Sequence, residues 1–285
     1  MNILLRDGGH LHYAVYGEEH ATNGTIVMIH GLTGNRHQLT KYRKAFQMQY
    51  EVIAIDLRGR GDSSAQTEDS GIPTHVDDVL ELLDQLQLTN VTLFGYSMGA
   101  YISQAVATKT DRVQRVILVD GGGHVDEEGK ALVYPSLGRM NNQYDTCEPY
   151  VEETTTIYKN LKVTIDEDVL EAVRYECRPK EGAFGNVANP EKIKQDFDSF
   201  YDYDVAHYVE TNDKPTYLIT GEGPLGERPL FTKDNYRIFQ EQSNVTVFET
   251  DQNHYELAFN KQREVIERLT NFLKGSFLAP TQTLE

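Results

Sequence analysis

Short β-branched, largely apolar runs alternate along this chain with stretches of helical periodicity. Thr25-Ile26-Val27-Met28-Ile29 is one run, ending at His30-Gly31, and a strand buried on both faces has that form. Glu51-Val52-Ile53-Ala54-Ile55 is a second, ending at Asp56. Val91-Thr92-Leu93-Phe94 is a third and leads into Gly95-Tyr96-Ser97-Met98-Gly99, after which an alanine-rich helix is expected. Val113 to Val119 is a fourth, ending at Asp120. From Thr74 to Leu88, apolar residues recur at Val76, Val79, Leu80, Leu83 and Leu86, which is helical spacing, and Pro73 suits a helix start. Residues 2–6 and 10–16 read as an opening hairpin around Gly8-Gly9. Strands alternating with helices predict an α/β fold with a largely parallel sheet covered by helices.

The alternation stops after Asp120 for about 90 residues. Positions 121–210 carry 19 acidic residues against nine basic ones, together with eight tyrosines. Helical stretches such as 165–176 occur there, no strong strand does, and the segment is expected to be a mostly helical insertion. Alternation resumes with a strand at 215–220, a helix at 232–242, a strand at 245–249 and a last helix over 260–274. Residues 276–285 read as a polar tail.

The chain of 285 residues can bury a core without metal or disulfide support. The formal net charge of −17 repels phosphate backbones and anionic lipid, so neither nucleic acid nor a membrane is an expected partner. Cys147 and Cys177 lack metal-site spacing and are expected as two reduced thiols. No run approaches the roughly 20 apolar residues of a membrane helix, and Met1–Gly9 has no signal-peptide pattern. A cytoplasmic protein, monomer or homodimer, is the expectation, with a small-molecule substrate and no cofactor or metal.

Gly95-Tyr96-Ser97-Met98-Gly99 matches G-x-S-x-G between a predicted strand and a predicted helix, the setting of a nucleophile held at a tight turn. Serine at neutral pH needs a base within hydrogen-bond reach. His254 follows a strand, and in a parallel sheet the strand C-termini share one edge, so Ser97 and His254 can meet. His124 and His207, at the ends of the insertion, are the other plausible bases. For the oxyanion of acyl transfer, the backbone N–H groups of Met98 and Leu32, the latter in His30-Gly31-Leu32-Thr33-Gly34, are the natural donors.

With these residues in view, the sequence resembles the α/β-hydrolase superfamily over roughly residues 1–120 and 213–275. The His30-Gly31 loop, the segment Asp56-Leu57-Arg58-Gly59-Arg60-Gly61-Asp62-Ser63, the Gly95–Gly99 elbow and the late His254 occur in the family's order. The resemblance implies an eight-stranded, mostly parallel sheet forming a core from 1–120 and 212–275, with a helical cap at 121–211 after the sixth strand. The family often carries its acid in Gly-x-x-Asp after the seventh strand, but here that stretch is Gly221-Glu222-Gly223-Pro224. The other family location is Asp120, the favoured acid, with Glu222 and Glu227 as alternatives. A serine nucleophile excludes relatives that need Asp at the elbow. With no cluster of bases in the cap, the expected activity is hydrolysis of a small or medium, neutral carboxylic ester or lactone through an acyl-enzyme. An amidase or iminopeptidase, a carbon–carbon bond hydrolase, and a catalytically weak ligand-binding protein remain alternatives.

Overall fold

The computed structural model describes residues 1–17, 23–180 and 182–275. Its chain order is β1 (Asn2–Leu4), β2 (His10–Tyr16), β3 (Thr25–Ile29), α1 (Thr40–Phe46), β4 (Glu51–Asp56), α2 (Ile72–Gln85), β5 (Val91–Tyr96), α3 (Met98–Ala107) and β6 (Val113–Val119). Then come α4 (Glu127–Gly138), α5 (Cys147–Asn160), α6 (Glu167–Glu176), β7 (Cys177–Lys180), β8 (Ala183–Asn186), α7 (Pro190–Asp198) and α8 (Val205–Thr211). The chain closes with β9 (Thr216–Gly221), α9 (Arg237–Gln240), β10 (Val245–Thr250), α10 (His254–Phe259) and α11 (Arg263–Leu273). The tail expected over 276–285 lies outside the described residues.

Eight strands form one sheet in the order β1-β2-β4-β3-β5-β6-β9-β10. Strand β2 is antiparallel to β1 and β4, and the remaining pairings are parallel. The central strands β3, β4 and β5 are buried along their whole length, as strands covered on both faces should be. Strand side chains alternate between faces, so Val27, Ile53, Leu93 and Leu118 join one core, facing α2 and α3. Their neighbours Met28, Ala54, Phe94 and Ile117 join the other, under α1 and α11. Each fully buried Val, Leu or Ile side chain contributes about 1.5–3 kcal/mol of transfer free energy. The two cores therefore hold the C-terminal edge of the sheet rigid, and the candidate site stands on that edge.

Several helices differ from the periodicity. The helix expected at 232–242 is a 3₁₀ turn, Lys233–Tyr236, followed by the four-residue α9. The last helix begins only at Arg263, with the short α10 capped by Asn253 before it. Between β6 and β9 the described residues form five α-helices, a 3₁₀ turn at Arg139–Asn141 and one hairpin, β7–β8, paired antiparallel from Cys177↔Asn186 to Lys180↔Ala183. The sequence predicts no strong strand there, and four residues per strand with Pro179 inside are too short for a period-2 signal.

The reduced-thiol expectation is also overturned, because Cys147 and Cys177 form a disulfide. Cys147 opens α5 and Cys177 opens β7, and the antiparallel return of α6 along α5 brings their Cα atoms to 5.9 Å, within bridging range. A 30-residue spacing carries no trace of that return. Disulfides persist in oxidising surroundings, so this pairing runs against the cytoplasmic expectation. Among the described residues, no helix is long and apolar enough to cross a membrane. Protein denatured without reductant should show no thiol to a chromogenic thiol reagent, and two reactive thiols would contradict the cross-link.

Candidate active site

Ser97 stands between β5 and α3 with φ 53° and ψ −117°, a left-handed backbone that costs an L-residue roughly 1–3 kcal/mol and persists only where packing over-determines it. The packing that does so is close. A β-carbon on Gly99 would overlap the carbonyl oxygen of Ile29, and one on Gly121 would overlap the backbone of Ser97 itself. Only glycine lets α3 and the chain after β6 approach so near. Met98 is the first residue of α3, where backbone N–H groups have no acceptor within the helix.

His254 is the first residue of α10 and is buried. Its ring stacks on Tyr96 at a centroid distance of 4.8 Å, and the Tyr96 hydroxyl donates to the His254 carbonyl at 3.0 Å. Nδ1 lies 2.7 Å from Oδ2 of Asp120. Asp120 is fully buried, and its Oδ1 accepts from the Gly221 N–H at 3.0 Å and the Tyr236 hydroxyl at 3.2 Å. An ionised carboxylate only accepts, so the imidazole Nδ1 carries the hydrogen of this contact and Nε2 is left as the acceptor.

Of the three carboxylates considered, the structure brings only Asp120 to His254. Glu227 is exposed, and Glu222 makes a 3.4 Å contact with the Thr220 hydroxyl. Burial pushes the Glu222 carboxyl up. His124 and His207 are both exposed. His124 donates its backbone N–H to Asn235, and His207 lies edge-on to Tyr208. Neither lines the cavity where Ser97 and His254 lie.

The loop after β3 is fixed from two sides. His30 is buried; its Nδ1–H donates to the Gly31 carbonyl at 2.7 Å, and its Nε2 accepts from the Leu57 N–H at 3.0 Å. In a planar trans peptide the N–H points away from the C=O, so pinning the Gly31 carbonyl also aims the Leu32 N–H. The Leu32 carbonyl accepts from Nε and Nη2 of the buried Arg60, at 3.0 and 2.7 Å. Nη1 of Arg60 reaches Asp196 of α7 at 2.6 Å, and that guanidinium holds the Asp196 carboxyl well below the usual range against the opposing effect of burial. One side chain thus ties the β3 loop to the segment inserted after β6.

Ser97, His254, Leu32, Thr33 and Gln38 line a cavity of about 520 Å³. Its other walls are largely apolar and come from the inserted segment and the loop after β9, among them Leu132, Ile157, Phe197, Phe200, Leu230 and Phe231. Among the described lining residues there is no Asp or Glu, and Arg139 is the one permanently charged side chain. Sequence reasoning missed Arg139 among the acidic residues of 121–210, as it missed Tyr96 and Tyr236 behind the histidine and the acid. No local spacing marks any of them.

A profile of the alpha/beta hydrolase fold family matches residues 24–253. The chain belongs to the α/β-hydrolase family. It is 33% identical over 121 residues to a putative 2-succinyl-6-hydroxy-2,4-cyclohexadiene-1-carboxylate synthase of Bacillus subtilis, covering 41% of this chain and 43% of that protein. It is 30% identical over 180 residues to a putative esterase/lipase of Haemophilus influenzae, covering 59% and 62%. The matches thus span about half the length of these two relatives. The crystal structure of an E-2-(acetamidomethylene)succinate hydrolase superposes with a TM-score of 0.80 at 18% identity, covering 96% of this chain and 98% of that one, a likeness of fold.

The His30 imidazole is pushed down to about 3 from 6.5, chiefly by burial. The unfolded chain therefore takes up the proton first on acidification. The stabilisation from a neutral His30 is fully present above pH 6.5 and falls as pH drops toward 3, by about 1.4 kcal/mol per pH unit. Urea unfolding at pH 7 and pH 5 should show wild type losing about 2 kcal/mol more than His30→Asn; equal losses would refute the assignment.

Proposed function

We propose that this α/β-hydrolase is a serine hydrolase that cleaves a small or medium carboxylic ester or lactone through an acyl-enzyme on Ser97. The observation that carries the reading is the His254 Nδ1–Asp120 Oδ2 contact of 2.7 Å, with Ser97 and His254 on the wall of one cavity. The name of the Haemophilus influenzae relative, an esterase/lipase, supports an ester.

In this reading Ser97 Oγ attacks the carbonyl carbon while His254 Nε2 takes its proton. Asp120 stays ionised, holds the tautomer and stabilises the imidazolium. The N–H groups of Leu32 and Met98 meet the tetrahedral oxyanion. The carbon–oxygen bond to the leaving alkoxide then breaks, and His254 returns the proton to that oxygen. Water, deprotonated by the same imidazole, attacks the acyl-enzyme, and collapse of the second intermediate frees the acid and restores Ser97. The segment 121–211 acts as a cap over the acyl site, since α4, α5 and α7 supply residues of the cavity wall.

Two observations favour the ester or lactone reading over a catalytically weak binding protein and an amine-binding iminopeptidase: Asp120 lies at hydrogen-bond distance from His254, and the described cavity wall has no Asp or Glu to hold an amine.

With 4-nitrophenyl butyrate, Ser97→Ala should lower kcat by about 10⁵- to 10⁶-fold. Rates equal to wild type would end the proposal. Asp120→Asn, which keeps the shape and offers the wrong hydrogen to the imidazole, should lower kcat on the order of 10⁴-fold. Near-normal turnover in that variant, with loss in Glu222→Gln or Glu227→Gln instead, would move the acid.

A further inference from the structure

Resting on the serine-hydrolase reading of this same cavity, we infer that the substrate carries a free carboxylate remote from the scissile bond, received by Arg139 on the cavity wall. Composition alone suggested a neutral substrate, because the inserted segment has no cluster of bases. One correctly placed base is sufficient for an anion.

The guanidinium is held from one side only. Nη1 makes two long contacts, 3.3 Å each, to the Tyr150 hydroxyl and the Thr154 hydroxyl. Its nearest carboxylate oxygen, Oε2 of Glu176, stands 3.9 Å away, beyond hydrogen-bond reach. That oxygen already accepts from the Tyr150 hydroxyl. Nε and Nη2 have no hydrogen-bond partner among the described residues, and neither is sealed from solvent. This edge of an arginine is the planar fork that a carboxylate fits bidentately.

The surroundings sharpen the preference. The side chain is only 11% exposed, so a carboxylate bound there is largely removed from water, where a charge-assisted pair is stronger than on a surface. Leu132, Val133, Ile157 and Leu161 line the same cavity and suit a methylene chain between the carboxylate and the reacting carbonyl. Burial pushes the Glu176 carboxyl up, opposed by Arg139 and Tyr150.

The test uses 4-nitrophenyl half-esters of straight dicarboxylic acids from succinic to suberic, each against the neutral 4-nitrophenyl alkanoate of equal chain length. At its best length, the wild-type enzyme should prefer the half-ester in kcat/KM by about 10- to 100-fold, the range expected of hydrogen bonds to a charged group. Arg139→Met should collapse that ratio toward one, chiefly through KM, and Arg139→Lys should retain part of it. A merely structural Arg139 would lower both esters alike and leave the ratio unchanged. Arg139→Met/Glu176→Gln, which removes both buried charges, serves if the single variant unfolds. Binding of both compounds to Ser97→Ala by calorimetry gives a readout free of turnover. A wild-type ratio at or below one for every length, or a ratio unmoved by Arg139→Met, overturns the inference while Ser97→Ala still abolishes turnover. Tighter, Arg139-dependent binding of the half-ester with turnover indifferent to Ser97→Ala would instead leave the carboxylate site and remove the hydrolase reading.

Discussion

The bend at Ser97 is the constraint on which the other parts depend. A left-handed φ at a non-glycine residue is unfavourable in isolation, and it persists because β5, α3 and the chain leaving β6 are packed too tightly for relaxation. The same tightness explains the glycines. With a β-carbon on Gly99 or Gly121 the approach of β3 or the Ser97 backbone would be blocked, and the serine would leave the mouth of the cavity. The bend also puts Met98 at the start of α3, so one backbone feature presents both a hydroxyl and an N–H that has no acceptor within the helix.

Everything else in the site is arranged around that fixed point by elements distant in sequence. Asp120 comes from the end of β6, Gly221 from the end of β9, Tyr236 from the 3₁₀ turn before α9, and His254 from the start of α10. Parallel strands put their C-terminal ends on one edge, so side chains more than 100 positions apart need only short loops to meet. The loop after β3 is aimed by His30 and Arg60, and Arg60 is in turn paired with Asp196 of α7. Removing one partner of such a buried pair typically costs about 3–5 kcal/mol. The Arg60 guanidinium therefore couples the inserted segment energetically to the Leu32 loop.

Much of this was legible in the sequence wherever a feature depends on a few neighbouring residues. Parallel strands announce themselves as short β-branched, largely apolar runs, and those at 25–29, 51–55, 91–94 and 113–119 all lie within observed strands. G-x-S-x-G is a local demand for small flanking residues, and it marked Ser97. Proline at 224 pointed away from the commoner acid position and toward Asp120, which is the carboxylate beside His254. Features made by long-range return of the chain were not legible. The Cys147–Cys177 link, the β7–β8 hairpin and the place of Arg139 all follow from how α4, α5 and α6 fold back on one another. Tyr96 and Tyr236, whose hydroxyls bond the His254 carbonyl and Asp120, carry no local signal of those contacts.

The central claim is that the Ser97 hydroxyl is activated by the imidazole of His254, which lines the same cavity. A fluorophosphonate probe, which an ordinary serine does not attack, tests this directly when the labelled protein is digested and the modified peptide identified by mass spectrometry. The account predicts one adduct, on the peptide containing Ser97 and absent from heat-denatured protein. An unlabelled Ser97 peptide, or a label on another serine, would contradict it.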